Sequence, residues 1–156
     1  MQLLFDEMLM KTAKWARIFG VDSLFARGSD DEILLLAKKS GKILVTRDAQ
    51  LSLRAKKQNL QCIFIVSTDV AEQLAEIEVA TGKHIFKFPE ETRCPKCNGE
   101  LFLAEKDAVK DKVPESVYQM QKKFWLCKNC GKIYWEGGHW KNITRIYKKL
   151  EEKRKN

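Results

Sequence analysis

The sequence predicts an α/β fold with a mainly parallel sheet, followed by a smaller cysteine-bearing unit and a terminal helix. Two observations lead to this. Over residues 1–90, short apolar or β-branched runs alternate with amphipathic stretches of helical length, the pattern of a sheet covered by helices on both faces. Near residue 90 the composition changes: all three prolines lie at or beyond Pro89, as do four of the five cysteines and three of the four tryptophans. The chain therefore divides into residues 1–90 and residues 91–156.

Leu3 to Phe5 reads as a first strand. Met8 to Phe19 places Leu9, Ala13, Ala16 and Phe19 at helical spacing and closes at Gly20. Val21 to Ala26 is a second strand. A helix follows from Asp30 to Lys39, with Ser29 or Asp30 as cap and Gly41 as its stop. Ile43 to Thr46 is a third strand, leading into a basic helix near Ala49 to Gln58. Cys62 to Val66 is a fourth strand, Asp69 to Ala80 a helix, and His84 to Phe88 a candidate fifth strand at the edge. Beyond residue 92 the strands are short. Only Pro114 to Phe124 and Lys141 to Lys155 read as helical, the latter with an apolar stripe of Ile143, Ile146, Tyr147 and Leu150.

The chain has 156 residues, enough for one modest core and an appendage. No apolar run approaches the roughly 18 residues of a membrane span, and the N-terminus lacks the basic and apolar regions of an export signal, so a soluble cytoplasmic protein without membrane partners is expected. The net charge of +8 is unevenly placed. Residues 1–90 carry 13 basic and 12 acidic side chains, a net of +1, and residues 91–156 carry 16 and 9, a net of +7. A polyanion partner is expected at the C-terminal half.

Cys94-Pro-Lys-Cys97 and Cys127-Lys-Asn-Cys130 are two C-x-x-C pairs, followed by Asn98-Gly99 and by Gly131. Those residues tolerate the positive φ that turns backbone amides toward thiolates. Two turn-borne pairs can close a tetrahedral four-thiolate zinc site, which leaves no open position for substrate, so the expected role of zinc is structural. Cys62, in an apolar run, reads as a small buried hydrophobe.

Functional groups of a parallel sheet collect beyond the carboxyl ends of its strands. Asp6 follows the first strand and Asp48 the third, while Asp30 and Asp31 open the helix after the second. Each could merely cap a helix. Converging from separate segments, they would repel one another unless a divalent cation sat among them, and Mg²⁺ or Mn²⁺ so held could stabilise the charge of a reacting phosphodiester.

Three stretches carry a resemblance: Phe5-Asp6-Glu-Met-Leu-Met-Lys11-Thr-Ala-Lys-Trp15-Ala-Arg17, Asp30-Asp-Glu-Ile-Leu-Leu-Leu-Ala37 and Ile43-Leu-Val-Thr-Arg-Asp48. Together with Glu72-Gln73-Leu74 and the segments Arg93 to Leu101 and Cys127 to Trp140, they resemble the PIN-like Mut7-C RNase domain over nearly the whole chain. The resemblance implies a three-layer PIN-like domain with a metal-dependent ribonuclease site, then a C-terminal zinc ribbon. The family's acids fall on Asp6, Asp30 and Asp48, with Asp30 preferred to Asp31 because it stands seven residues before Ala37. Glu7, Glu32 and Asp31 are candidates for a fourth acid. The family's glycine before the first-helix lysine is Met10 here.

For RNA contacts, Lys11, Arg17, Arg47 and Arg54 lie close to the acids in sequence and could neutralise phosphates. Trp135, His139 and Trp140 stand among lysines in the second half, a pattern suited to stacking on unpaired bases of single-stranded RNA. A small ribbon also needs rings for its own core, so some of these aromatics are expected to be structural. Two rival classes are a non-catalytic module binding RNA, a ribosome or another protein, and a phospho-receiver in which Asp6, Glu7, Asp48, Thr68 and Lys87 would form the acidic site. The basic stretch after Asp48 and the attached ribbon argue against the receiver.

Overall fold

The computed structural model describes residues 1–88 and 91–156. Four strands, β1 (Gln2–Phe5), β2 (Asp22–Phe25), β3 (Ile43–Thr46) and β4 (Cys62–Phe64), form one sheet in the order β2-β1-β3-β4 with every pairing parallel. Helices α1 (Met10–Ile18), α2 (Asp30–Ser40) and α3 (Ala49–Lys57) make the three crossovers, and α4 (Val70–Thr81) follows β4.

Strand periodicity sorts the core into two layers. Leu3, Phe5 and Val45 point to one face, where Ala13, Ala16, Leu74 and Ile77 of α1 and α4 cover them. Leu4 and Leu44 point to the other, against Ile33, Leu34, Leu51 and Ala55 of α2 and α3. A three-layer α/β/α arrangement results. Helix α2 begins with a capping box between Ser29 and Glu32 and ends at Gly41, whose φ of 68° is the left-handed conformation that a glycine adopts without a Cβ clash.

The second half forms an antiparallel three-stranded ribbon of β5 (Leu101–Ala104), β6 (Phe124–Cys127) and β7 (Ile133–Trp135), ordered β5-β6-β7, with the short helix α5 (Glu115–Met120) between β5 and β6. The terminal helix α6 (His139–Arg154) leaves the ribbon and packs on the first half. Its Ile146 and Leu150 are buried among the α1 and α4 side chains, so residues 139–154 share the core of the α/β unit.

Residues 84–88 do not form the expected fifth strand. Two side chains and one carbonyl occupy their backbone groups instead: Glu78 accepts from Phe86 N at 3.1 Å, Arg154 donates to Phe86 O at 2.7 Å, and Lys87 N donates to the main-chain carbonyl of Phe19. Alternating apolar residues signal extended backbone, but its partners are α4, α6 and the end of α1. The other elements with bounds expected from the sequence differ only at their ends, most at α5, which covers six residues; a short 3-10 turn at Lys106–Val109 lies outside that expectation.

Arg154 and Glu78 make the tie that holds α6. Two guanidinium nitrogens donate to the two carboxylate oxygens at 2.7 Å, and the side chain of Glu78 is almost fully buried. Arg154→Ala strands that carboxylate, and is expected to lower the unfolding free energy in urea by about 3 kcal/mol. Lys149→Ala, which removes the exposed Lys149–Asp69 pair beside it, is expected to cost less than about 1 kcal/mol in the same assay.

Candidate functional site

Asp6 stands at the carboxyl end of β1 and is only 4% exposed. It caps the short 3-10 turn that precedes α1, accepting from Met8 N at 3.0 Å, and its other oxygen accepts from the hydroxyl of Thr46, the last residue of β3. The same Thr46 oxygen accepts from Asp48 N at 2.9 Å. Asp48 in turn caps α3, taking the amides of Gln50 and Leu51. Adjacent parallel strands thus bring Asp6 and Asp48 to one sheet edge, joined through a single buried hydroxyl. Burial raises the Asp6 carboxyl above its ordinary value; the Thr46, Met8 and Leu9 hydrogen bonds oppose this, and the Asp48 charge adds to it.

Asp30 lies at the start of α2 and turns toward Arg54 of α3 at 3.5 Å, where Asp31 also binds the guanidinium. The structure therefore joins Asp6 to Asp48 and places Asp30 with Asp31 in a separate exposed cluster around Arg54. Glu32 is taken up by the capping box of α2, and Glu7 lies in the 3-10 turn after Asp6.

Arg17 is buried. Its Nε donates to Ser23 O at 2.7 Å and its Nη1 to Pro95 O at 2.8 Å, so these two nitrogens clamp α1, β2 and the first cysteine pair together. Lys11 is exposed, and Arg47 is half-buried, donating to Val66 O at 3.3 Å. Trp135 packs edge-on against Phe124, and Trp140 lies beside Trp125 and Phe88, while His139 is exposed at the start of α6. Of the receiver-like set, Thr68 lies near the start of α1, but Lys87 pairs with Glu91 and bonds to Phe19 beyond the other end of that helix.

The second cluster is the four cysteines. All are free, and their four sulfurs lie within 4.8 Å of one another. Cys94 to Cys130 is 3.7 Å and Cys97 to Cys127 is 3.4 Å. Tetrahedral Zn–S bonds of about 2.3 Å require sulfurs about 3.8 Å apart, whereas a disulfide requires about 2.05 Å. Amides of Gly99, Asn129 and Cys130 point at the sulfurs of Cys97 and Cys127 at 3.4 Å, and Tyr134 Oη is 3.0 Å from the sulfur of Cys94. The donor set fits zinc with all four positions filled by protein, and His139 is not part of it. Cys62 is half-buried against the second core layer, 3.8 Å from the Ser52 hydroxyl. Asn98, at φ 69°, makes the first turn and also reaches across to β2, bonding Asp22 at 2.7 Å and Ser23 N at 3.0 Å.

The sequence matches the family described as Mut7-C RNAse domain over residues 1–147. Among curated proteins and among solved structures there is no significant match. Among the described residues, no helix is long and apolar enough to cross a membrane.

Two predictions come from these clusters. A Cβ on Gly99 would lie 2.9 Å from the sulfur of Cys127 and 2.8 Å from Asn129, so Gly99→Ala is expected to weaken zinc retention by at least tenfold in competition with a chromophoric chelator. Gly131→Ala meets open space and is expected to cost only about 1 kcal/mol, from its positive φ. At Asp6, a native state that holds its proton more tightly than the unfolded chain loses stability as pH rises through the window above 3.8. Asp6→Asn removes that loss. Its urea midpoint without divalent metal is expected to exceed wild type at pH 7, by a margin that shrinks as pH is lowered toward about 4.

Proposed function

The chain belongs to the Mut7-C RNAse domain family, and from that premise we propose that it is a metal-dependent endoribonuclease of PIN-like type. The observation that carries this is the placement of Asp6 and Asp48 at the carboxyl edge of neighbouring parallel strands, where Thr46 binds the Asp6 carboxylate and the Asp48 backbone amide. A buried carboxylate near a second acid at a sheet edge is costly alone, and a divalent cation relieves that cost. Asp6 and Asp48 would hold Mg²⁺ or Mn²⁺, with Thr46 fixing the direction of the Asp6 carboxylate. Asp30 would join as the third acid when Arg54 turns to a substrate phosphate. Such a cation supplies Lewis-acid stabilisation of the phosphodiester charge.

Lys11 and Arg47 flank this edge and would neutralise neighbouring phosphates. The net +7 of residues 91–156, reduced to about +5 by a four-thiolate zinc site, supports RNA gripping by the second half, and the aromatic residues among its lysines suit unpaired strands. Zinc acts structurally, and a reducing compartment such as the cytoplasm keeps its thiolates available. The separation of Asp30 from the other two acids favours a second reading, a non-catalytic RNA- or ribosome-binding module on the same fold.

Cleavage of an end-labelled single-stranded RNA in Mg²⁺ or Mn²⁺ separates the two. Asp6→Asn and Asp48→Asn are each expected to reduce the rate on the order of 100-fold, with RNA affinity nearly unchanged. Wild type and variants that are equally inert, yet bind RNA with a steep salt dependence, would exclude the nuclease and leave the binding module.

A further inference from the structure

Helix α6 runs over two adjoining cavities, and no role assigned so far uses them together. The first, about 260 Å³, is lined by Trp15, Phe88, Trp125, Tyr134, Trp135 and Trp140, with His139 and Asn142 as polar groups. Trp125 and Trp140 present near-parallel rings, 17° apart in plane and 6.1 Å between centroids. The second, about 350 Å³, is polar, and Lys11, Arg47 and Arg145 line it. Its acid, Asp69, is already engaged by Lys149 at 3.3 Å and by the amide of Glu72. The Nε of Arg47 is buried and has no hydrogen-bond partner among the described residues.

Helical spacing explains why the cavities meet. On α1, Lys11 and Thr12 face the cationic cavity, Ile18 the aromatic one, and Trp15, one turn from each, lines both. On α6, His139 and Ile143 face the aromatic cavity, Arg145 and Ile146 the cationic one, and Asn142 lines both. Met8 and Leu9, which follow Asp6, and Arg47, between Thr46 and Asp48, complete the cationic wall.

We infer that the paired cavities bind one unpaired nucleotide of an RNA strand, its base among the tryptophans and a phosphate among Lys11, Arg47 and Arg145. Large planar rings lining a ring-sized chamber suit a nucleobase, which stacks whatever its sequence. Three cations against one paired acid suit a phosphate. A base paired in a duplex cannot enter the chamber, so the site selects single strands. The inference rests on the nuclease reading for its orientation, since the phosphate chamber abuts the Asp6 edge and would present the adjacent linkage to it.

Isothermal titration calorimetry on the full zinc-loaded chain, without Mg²⁺ or Mn²⁺, tests this separately from catalysis. The probes are adenosine 5′-monophosphate and ribose 5-phosphate, with a single-stranded RNA hexamer and a blunt RNA duplex as competitors. The account expects the monophosphate to bind at least tenfold more tightly than the sugar phosphate, and the hexamer but not the duplex to displace it. Asn142→Trp, which fills the junction from an exposed position, and Arg145→Glu are each expected to weaken the monophosphate at least tenfold, with melting temperatures near wild type. Equal affinity for the two phosphates, or unchanged binding in the variants that remain folded, overturns the two-chamber site even where cleavage is observed. Binding of the monophosphate without displacement by the hexamer overturns the assignment to an RNA strand. Selective, variant-sensitive binding with hexamer displacement in a chain that never cleaves RNA upholds the inference while removing the nuclease.

Discussion

The Thr46 hydroxyl is the point on which the functional edge of the protein depends. It donates to the Asp6 carboxylate and accepts from the Asp48 amide, so one buried oxygen fixes the ends of β1 and β3 relative to the starts of α1 and α3. A parallel sheet makes this economical, because its strands deliver their carboxyl ends to the same side. The constraint also keeps a carboxylate buried near a second acid, with its proton affinity raised by desolvation. Hydrogen bonding limits that strain without removing it, which leaves the edge electrostatically suited to a cation.

The second half is not a separate bead on the first. Arg17 carries the contact at one end, donating from α1 to the backbone of Ser23 and Pro95, and Asn98 adds bonds to β2. Arg154 carries it at the other, through the buried Glu78 and the carbonyl of Phe86. A four-thiolate metal site would hold the first cysteine turn in the shape that Arg17 and Asn98 grip. Zinc in that position would stabilise the α/β sheet edge at β2 as well as the ribbon.

Much of this was legible in the sequence because it depends on local period and spacing. The alternation of Leu3, Leu4 and Phe5 across two core layers, the caps at Ser29 and Asp48, and the two C-x-x-C turns with Asn98 and Gly131 all follow from neighbouring residues. Contacts over long separations were not legible. Arg154 finds Glu78 across 76 residues, and that pairing turns a charge-dense tail into a core helix and residues 84–88 into a side-chain-bound segment where a strand was expected. Asp30, Asp31 and Arg54 are likewise set by how α2 packs beside α3, which no local pattern encodes. Arg17 has the sequence neighbourhood of a phosphate ligand, and only the docked ribbon shows that it is buried with Nε and Nη1 bonded to carbonyls. Arg145 and Asn142 were hidden for the opposite reason, since polar residues on a basic helix look like a solvated face until α1 is placed alongside.

The proposed chemistry rests on a divalent cation shared by Asp6 and Asp48. Anomalous diffraction at the manganese edge, from crystals equilibrated with Mn²⁺, measures this directly. A shared cation is expected to give a peak about 2.1 Å from a carboxylate oxygen of each residue. A well-ordered map in which both carboxylates keep only their cap hydrogen bonds, with no peak between them, would contradict it.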